Sequence, residues 1–256
     1  MATPTTLKAW YNDYFKRPAH SLGPRLPLTA RLDCLGDWRL SVTHSPAPTP
    51  PLAKHIRAQA LAAIAVAFDI AEELEPRTKG PLSDARFYLP FPGEHYALLA
   101  AVCRVFKPMR IIEVGTFTGM SARIFADYAP PDARIETYDI VPWHQLESHL
   151  RPDDFSSGRV VQHVADILDE GLFSAHRKSF EEADLIFLDA PKNGVFEQAI
   201  VPRFMSLNYK PNTIMLLDDI RLDAMINVWA DIKKPKLELT GFGHWSGTGF
   251  VQLGAD

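Results

Sequence analysis

The sequence predicts an α/β protein: a doubly wound, mostly parallel seven-stranded sheet closed by a C-terminal antiparallel hairpin and preceded by a helical and irregular N-terminal extension. Three observations carry this reading. Five short β-prone runs, "RIIEV", "RIETYD", "RVVQHV", "DLIFLD" and "TIMLLDD", start about 25 residues apart from Arg110 onward. That interval leaves room for a helix between neighbours, and strand–helix alternation builds parallel sheets. The tail "KLELTGFGHWSGTGFVQL" then carries two more β-prone runs joined by a glycine-containing turn, which reads as a hairpin.

Taken in order, residues 1–52 are proline-rich ("RPAHSLGPRLPL", "HSPAPTPPL"). Proline removes a donor and fixes φ, so long regular elements are not expected there. Trp10, Tyr11, Tyr14, Phe15 and Trp38 nevertheless require some of this segment to pack. In "LAKHIRAQALAAIAVAFDIAEELEP", Ile56, Ala60, Ile64, Phe68 and Ala71 recur at helical spacing, and Pro76 ends the helix. Its alanine-rich face is expected to dock on the main domain or on a second subunit. The division expected is an extension over 1–80, serving as a substrate cap or a dimerisation element, and a ligand-binding domain over 81–256. After the connector "PLSDARFYLPFPG", with Phe87, Tyr88 and Phe91 as a hydrophobic lid or core strap, "GEHYALLAAVCRVF" reads as a helix with Leu98, Leu99, Val102 and Phe106 on one side.

Composition narrows the function classes. The chain has 256 residues, 46% hydrophobic and 23% charged, enough for one sizeable core, and its formal net charge is −4 with no basic block. That argues against a nucleic-acid partner or a membrane surface. No apolar run reaches the ~20 residues that span a bilayer, and the N-terminus does not read as a secretory signal. Cys34 and Cys103 are isolated, so both are read as reduced and the chain as cytoplasmic.

The chemistry concentrates at the ends of the strand runs. In open α/β sheets, ligands bind beyond the carboxyl ends of the strands, where strand order reverses. The first run, Arg110–Val114, ends in the loop Gly115-Thr116-Phe117-Thr118-Gly119, and a helix follows near Met120–Ser121. Glycines admit close approach of a ligand to the backbone, a helix N-terminus offers N–H groups, and Ser121 adds a hydroxyl. Asp139 ends the second run, 24 residues after Gly115, where a carboxylate can accept from a ribose diol. Asp166 follows the third and is placed to accept from an adenine amino group. A dinucleotide fold wants G-x-G-x-x-G. Here Glu113 precedes the first glycine and would repel a pyrophosphate, whereas it suits a zwitterionic amino-acid tail beside a sulfonium.

The pattern E-V-G-x-x-x-G resembles the binding loop of class I S-adenosylmethionine-dependent methyltransferases, which have a Rossmann-like fold. Two further stretches bear on the reaction. "LIFLDAPKNG" ends the fourth run with Asp189, and Lys192 lies three residues on; "TIMLLDDI" ends the fifth with Asp218 and Asp219. Adjacent strands would bring these carboxylates together. At ~4 Å and an effective dielectric of 20, each like-charged pair costs about 4 kcal/mol. Relief comes from protonation, from Lys192 or Arg221, or from a cation, for which hard oxygen ligands suit Mg²⁺ or Ca²⁺.

Together, "EVGTFTGMSA", "YD", "FLDAPK" and "LLDDI" resemble the catechol O-methyltransferase-like group, which includes the caffeoyl-coenzyme A enzymes, over about residues 90–253. Asp219 stands where that group usually has Asn. The resemblance implies an enzyme, an O-methyltransferase that moves a methyl group from S-adenosylmethionine to a small-molecule hydroxyl. It implies a divalent metal, Mg²⁺ or similar, held by Asp189, Asp218 and Asp219. Asp189 and Lys192 become the catalytic residues, with Lys192 as general base. Glu113, Gly115, Ser121 and Asp139 contact the cofactor, with Thr116, Phe117, Gly119, Asp166 and Asp189 lining its site. The alternative expectations are metal-independent transfer to nitrogen or carbon and a non-catalytic nucleotide-binding module.

Other residues are read more modestly. His95 is a satisfied helix histidine or a pocket wall, and Trp143 either covers the adenine ring or packs, beside His144. His244 and Trp245, in the hairpin turn, are substrate-contact candidates. Arg221 pairs with an anionic substrate or caps the acids.

Overall fold

Alternate residues of the central strands part into two hydrophobic layers, one on each face of a single sheet. In the computed structural model, residues 49–74, 95–146, 148–243 and 246–254 are described. They belong to one compact unit, Ser45–Asp256. The strands are β1 (Arg110–Val114), β2 (Arg134–Asp139), β3 (Val160–Val164), β4 (Leu185–Leu188), β5 (Ile214–Asp218), β6 (Lys236–Glu238) and β7 (Thr248–Gln252). Their order is β3-β2-β1-β4-β5-β7-β6. The first five are parallel, and β7 enters antiparallel between β5 and β6, with Asp218 opposite Thr248. This is the expected architecture. β4 and β5 are buried at every position, which is why they read as unbroken apolar runs and not as alternating ones.

The helices are α1 (Lys54–Leu74), α2 (His95–Phe106), α3 (Met120–Tyr128), α4 (Pro152–Ser156), α5 (Glu170–Glu181), α6 (Val195–Met205) and α7 (Asp223–Asp231). Ile111, Ile135, Leu185, Phe187, Ile214 and Leu216 face one layer, with α1, α2 and α3. Ile112, Tyr138, Ile186, Leu188, Met215 and Leu217 face the other, with α5, α6 and α7. The period-2 geometry of a strand does this sorting. Residues 97–103 of α2 are all buried, because α2 lies between α1 and the sheet and the alanines at 97, 100 and 101 allow close packing on both sides. Cys103 is among them, and burial pushes its thiol up to about 12, so it is chemically quiet.

α1 corrects the expected helix face. The buried stripe is Ile56, Ala60, Ala63, Ala67, Ile70 and Leu74, whereas Phe68 is 53% exposed and Ile64 only half-buried. Small alanines line the middle of the stripe, with Ile56, Ile70 and Leu74 buried toward its ends. The helix assigned to the extension therefore shares the main core. α5 begins at a cap the sequence reading did not single out: Asp169 Oδ1 accepts from the backbone N–H of Leu172 at 2.8 Å. No helix among the described residues is long and apolar enough to cross a membrane.

Candidate active site

β1 lies between β2 and β4, so strand order reverses there and the crevice beyond the carboxyl ends of β1 and β4 is the switch point. The glycine loop borders it on one side. Gly115 has φ 101° and donates its N–H to Tyr138 O at 2.8 Å. A Cβ at Gly115 would fall 1.9 Å from the Asp189 carbonyl oxygen, so this glycine lets the loop pass against β4's own end. Gly119, at φ 74°, caps α3, and a Cβ there would run into Leu150. Both glycines thus serve close approach of the chain to itself.

Phe117 also lies in the left-handed region, at φ 44°, a conformation costing about 1–2 kcal/mol for a side-chain-bearing residue. Asp139 holds it there. Its Oδ2 accepts from the Phe117 N–H at 2.8 Å and its Oδ1 from the Val141 N–H at 3.0 Å. The acid that ends β2 and the loop that follows β1 are locked together beside the crevice. Phe117 (47%) and Ile140 (69%) stand exposed around that carboxylate, giving an apolar surface with one acid in it.

Glu113 is turned inward. It is wholly buried and accepts hydrogen bonds from Ser121 and Thr137, while the Thr137 and Thr116 hydroxyls meet at 2.6 Å. Burial pushes its carboxyl up to about 8; the two hydroxyl donors resist this, and Asp189 and Asp139 add to it. Glu113 and Ser121 tie β1, β2 and α3 together beneath the loop. Asp166 is exposed and its Oδ1 accepts from Leu168 N–H at 2.9 Å. Trp143 stacks on Phe155 (centroids 5.0 Å apart, 18° between planes) and donates its backbone N–H to Gln162, with His144 edge-on to it.

Across the crevice, the ends of β4 and β5 bring four charged groups together. Lys192, 6% exposed at the side chain, pairs with Asp189 Oδ1 and lies 3.4 Å from Asp219 Oδ2. Lys192 (φ 58°) and Asp219 (φ 58°) both adopt left-handed backbone to do so. Asp219 also accepts from Ser246, which β7 delivers next to the β5 end. His95, at the start of α2, sets Nδ1 3.7 Å from Asp218 Oδ1. Ligand atoms of His95, Asp189 and Asp218 lie within 4.8 Å of one another. The sequence reading grouped Asp189, Asp218 and Asp219; the fold adds His95 to the first two and gives Asp219 to Lys192 and Ser246.

Burial alone would lower the Lys192 ammonium's pKa, but Asp189, Asp218 and Asp219 outweigh it and raise it. A lysine base needs the opposite shift, so in this arrangement Lys192 is a cation. Asp189 is raised, first by burial and then by Asp218 and Asp219, against the pull of Lys192. Glu197, unremarked in the sequence and wholly buried, accepts from the N–H groups of Lys192 (2.8 Å) and Gly194 (3.0 Å) and fixes the lysine's loop. Arg221 pairs with Glu238. His244, Trp245, Phe87, Tyr88 and Phe91 lie outside the described residues.

No protein-family model matches the chain, and no curated protein does. Solved structures with a similar trace include the Podospora anserina methyltransferase PaMTH1 bound to SAH (18% identity, 91% of this chain and 100% of that one, TM-score 0.48). Two others are the O-methyltransferase TomG of Streptomyces achromogenes, involved in tomaymycin synthesis, with SAM (17%, 79% and 91%, 0.46), and an O-methyltransferase from Bacillus cereus with SAH (18%, 77% and 97%, 0.48). Each is a distant likeness, below the level at which a shared function follows.

Proposed function

We propose that this chain is an S-adenosylmethionine-dependent methyltransferase acting on a hydroxyl of a small molecule. The observation that carries the reading is the pairing of the post-β1 loop with Asp139 at the switch point, facing the Asp189–Lys192–Asp218–Asp219 cluster across it. The residues suit such a cofactor. Asp139 offers a fixed carboxylate to a diol, Phe117 and Ile140 offer apolar surface to a ring, and the acids beyond β4 and β5 suit a sulfonium. When bound, the cofactor supplies an electrophilic methyl group.

The chain's own part is to hold an acceptor oxygen and move its proton. With no ion bound, Asp189, whose pKa is raised by burial and by Asp218 and Asp219, is the carboxylate placed to take that proton. The Lys192 ammonium stabilises the developing oxyanion, and Glu197 keeps it in place. Two carboxylates and an imidazole also suit a divalent cation, which His95, Asp189 and Asp218 would hold and which would acidify a bound hydroxyl. Metal-free transfer is the second reading. Lys192, already between Asp189 and Asp219, supplies positive charge without an ion.

Calorimetric titration of the full chain with S-adenosylmethionine and its demethylated product tests the reading, run with Mg²⁺ and with chelator. Saturable 1:1 binding is expected, weakened in Asp139→Ala. Absence of binding to either compound in a folded sample sinks it, and chelator-insensitive turnover selects the metal-free form.

A further inference from the structure

A second group of ligating side chains lies between the sheet and α5, and the strand-tip chemistry makes no use of it. On β2, Glu136 and Tyr138 point toward the α5 layer, and β3 sets His163 opposite Tyr138, the two rings stacked at 4.7 Å and 21°. α5 adds His176, its ring 4.6 Å from that of His163 and 5.1 Å from that of Tyr138. His163 Nε2 is 3.1 Å from Glu136 Oε2, and the Tyr138 hydroxyl is 3.3 Å from the same oxygen and 3.1 Å from His176 Nδ1. One ligand atom from each of Glu136, His163 and His176 falls within 4.8 Å of the others.

We propose that Glu136, His163 and His176 bind one divalent transition-metal ion, Zn²⁺ or a first-row relative. Two imidazoles and one carboxylate are the donors such ions take, with an open position for water. At metal–ligand distances of about 2.0–2.1 Å, tetrahedral ligands stand about 3.3 Å apart. The Glu136–His163 pair is already at that spacing, while His176, bonded to Tyr138 without the ion, would have to close on it from within 4.8 Å. Arg134 holds Glu136 Oε1 at 2.8 Å, which turns Oε2 toward the imidazoles, though its charge also weakens the attraction for an ion. Tyr138 is placed to hydrogen-bond a water in the fourth position. Glu136 is buried, whereas the His163 side chain is 23% exposed, leaving a way in.

Hydrogen bonding among these groups is the competing account, and it explains their proximity without an ion. What it does not require is a second imidazole, brought by a different element and bonded to Tyr138, with a ring nitrogen within 4.8 Å of the ligand atoms of Glu136 and His163. Bound metal would join β2, β3 and α5, the scaffold of the tips that carry Asp139 and Asp166. The proposal does not depend on the methyltransferase reading.

The test uses the full chain, stripped with chelator and titrated with Co²⁺ and with Zn²⁺. Asp218→Asn serves as the background, so that the His95–Asp189–Asp218 set is disabled. Expected are one equivalent of Co²⁺ with visible d–d absorption, a rise in Tm of about 5 °C with excess Zn²⁺, and loss of both in His163→Gln/His176→Gln. Tyr138→Phe should weaken binding about tenfold. Should the double variant not fold, histidine NMR in the chain with native histidines decides: two imidazoles must shift with the first equivalent of Zn²⁺. Co²⁺ binding unchanged by the double substitution, or no histidine shift at one equivalent, overturns the proposal.

Discussion

Glu113 and Asp189 are carboxylates at the carboxyl ends of neighbouring strands, both burdened by burial, yet the fold neutralises them by opposite means. Around Glu113 it supplies hydroxyls, Ser121 and Thr137, and burial raises the acid until it holds its proton near neutral pH. Around Asp189 it supplies a buried ammonium and packs two further carboxylates beside it. The first arrangement is neutral and inward; it fixes three elements and has no charge to lend. The second remains charged, with three carboxylates gathered around one ammonium. Small displacements of a proton or a cation shift the charge there, which is what acid–base chemistry requires.

Removing the cation gives the largest expected loss. Lys192→Met removes a buried counter-charge from Asp189 and Asp219, which are themselves partly exposed. It should cost about 2 kcal/mol at pH 8 in urea unfolding, less than a fully buried pair because water screens the acids. The deficit should shrink toward pH 5, as the acids take up protons, and Mg²⁺ should restore part of it. A deficit of equal size at both pH values would mean that lost packing, not charge, is responsible.

Glu113→Gln acts on the other half and in the opposite direction. The native carboxyl titrates at about 8 against 4.5 for the ordinary group, so between those values the folded chain keeps a proton that the unfolded chain has released. Stability from this group is complete below pH 4.5 and is lost as pH rises toward 8. Glutamine copies the protonated acid and removes that dependence. Allowing for relaxation of the site, the variant should gain about 2 kcal/mol on the parent between pH 5 and pH 8.5. Parallel pH–stability curves would show that Glu113 is ionised throughout.

How much of this was legible in the sequence follows the same division. Strands and loops were, because β4 and β5 announce themselves as apolar runs and the glycine loop sits where β1 must end. The buried face of α1 was not. In an alanine-rich helix several stripes are apolar, and Ala60, Ala63 and Ala67 win over Phe68 only because α2 comes close. Asp189, Lys192, Asp218 and Asp219 could be picked out by position. The direction of the lysine's shift could not, since it depends on three carboxylates converging from two loops. His95 could be marked only as a helix histidine or a pocket wall, and Glu197 not at all, because their partners arrive only when α2 and α6 are docked.

Asp139→Asn has the smallest expected effect on stability and separates scaffold from site most cleanly. The aspartate accepts two backbone hydrogen bonds, one holding Phe117 in its left-handed conformation. Asparagine keeps one acceptor oxygen and loses the other, so about 1 kcal/mol should go, near the worth of one hydrogen bond. If the carboxylate only pins the loop, affinity for the demethylated cofactor should fall by no more than the loop's loosening, a few-fold. If it also meets a diol, an amide NH₂ turned toward that diol replaces an acceptor with a donor, and affinity should fall tenfold or more while Tm barely moves. Calorimetry and a melting curve on the same sample give both numbers. A large drop in Tm with nearly unchanged affinity would make Asp139 purely structural and shift the weight of ligand binding to the β4–β5 side.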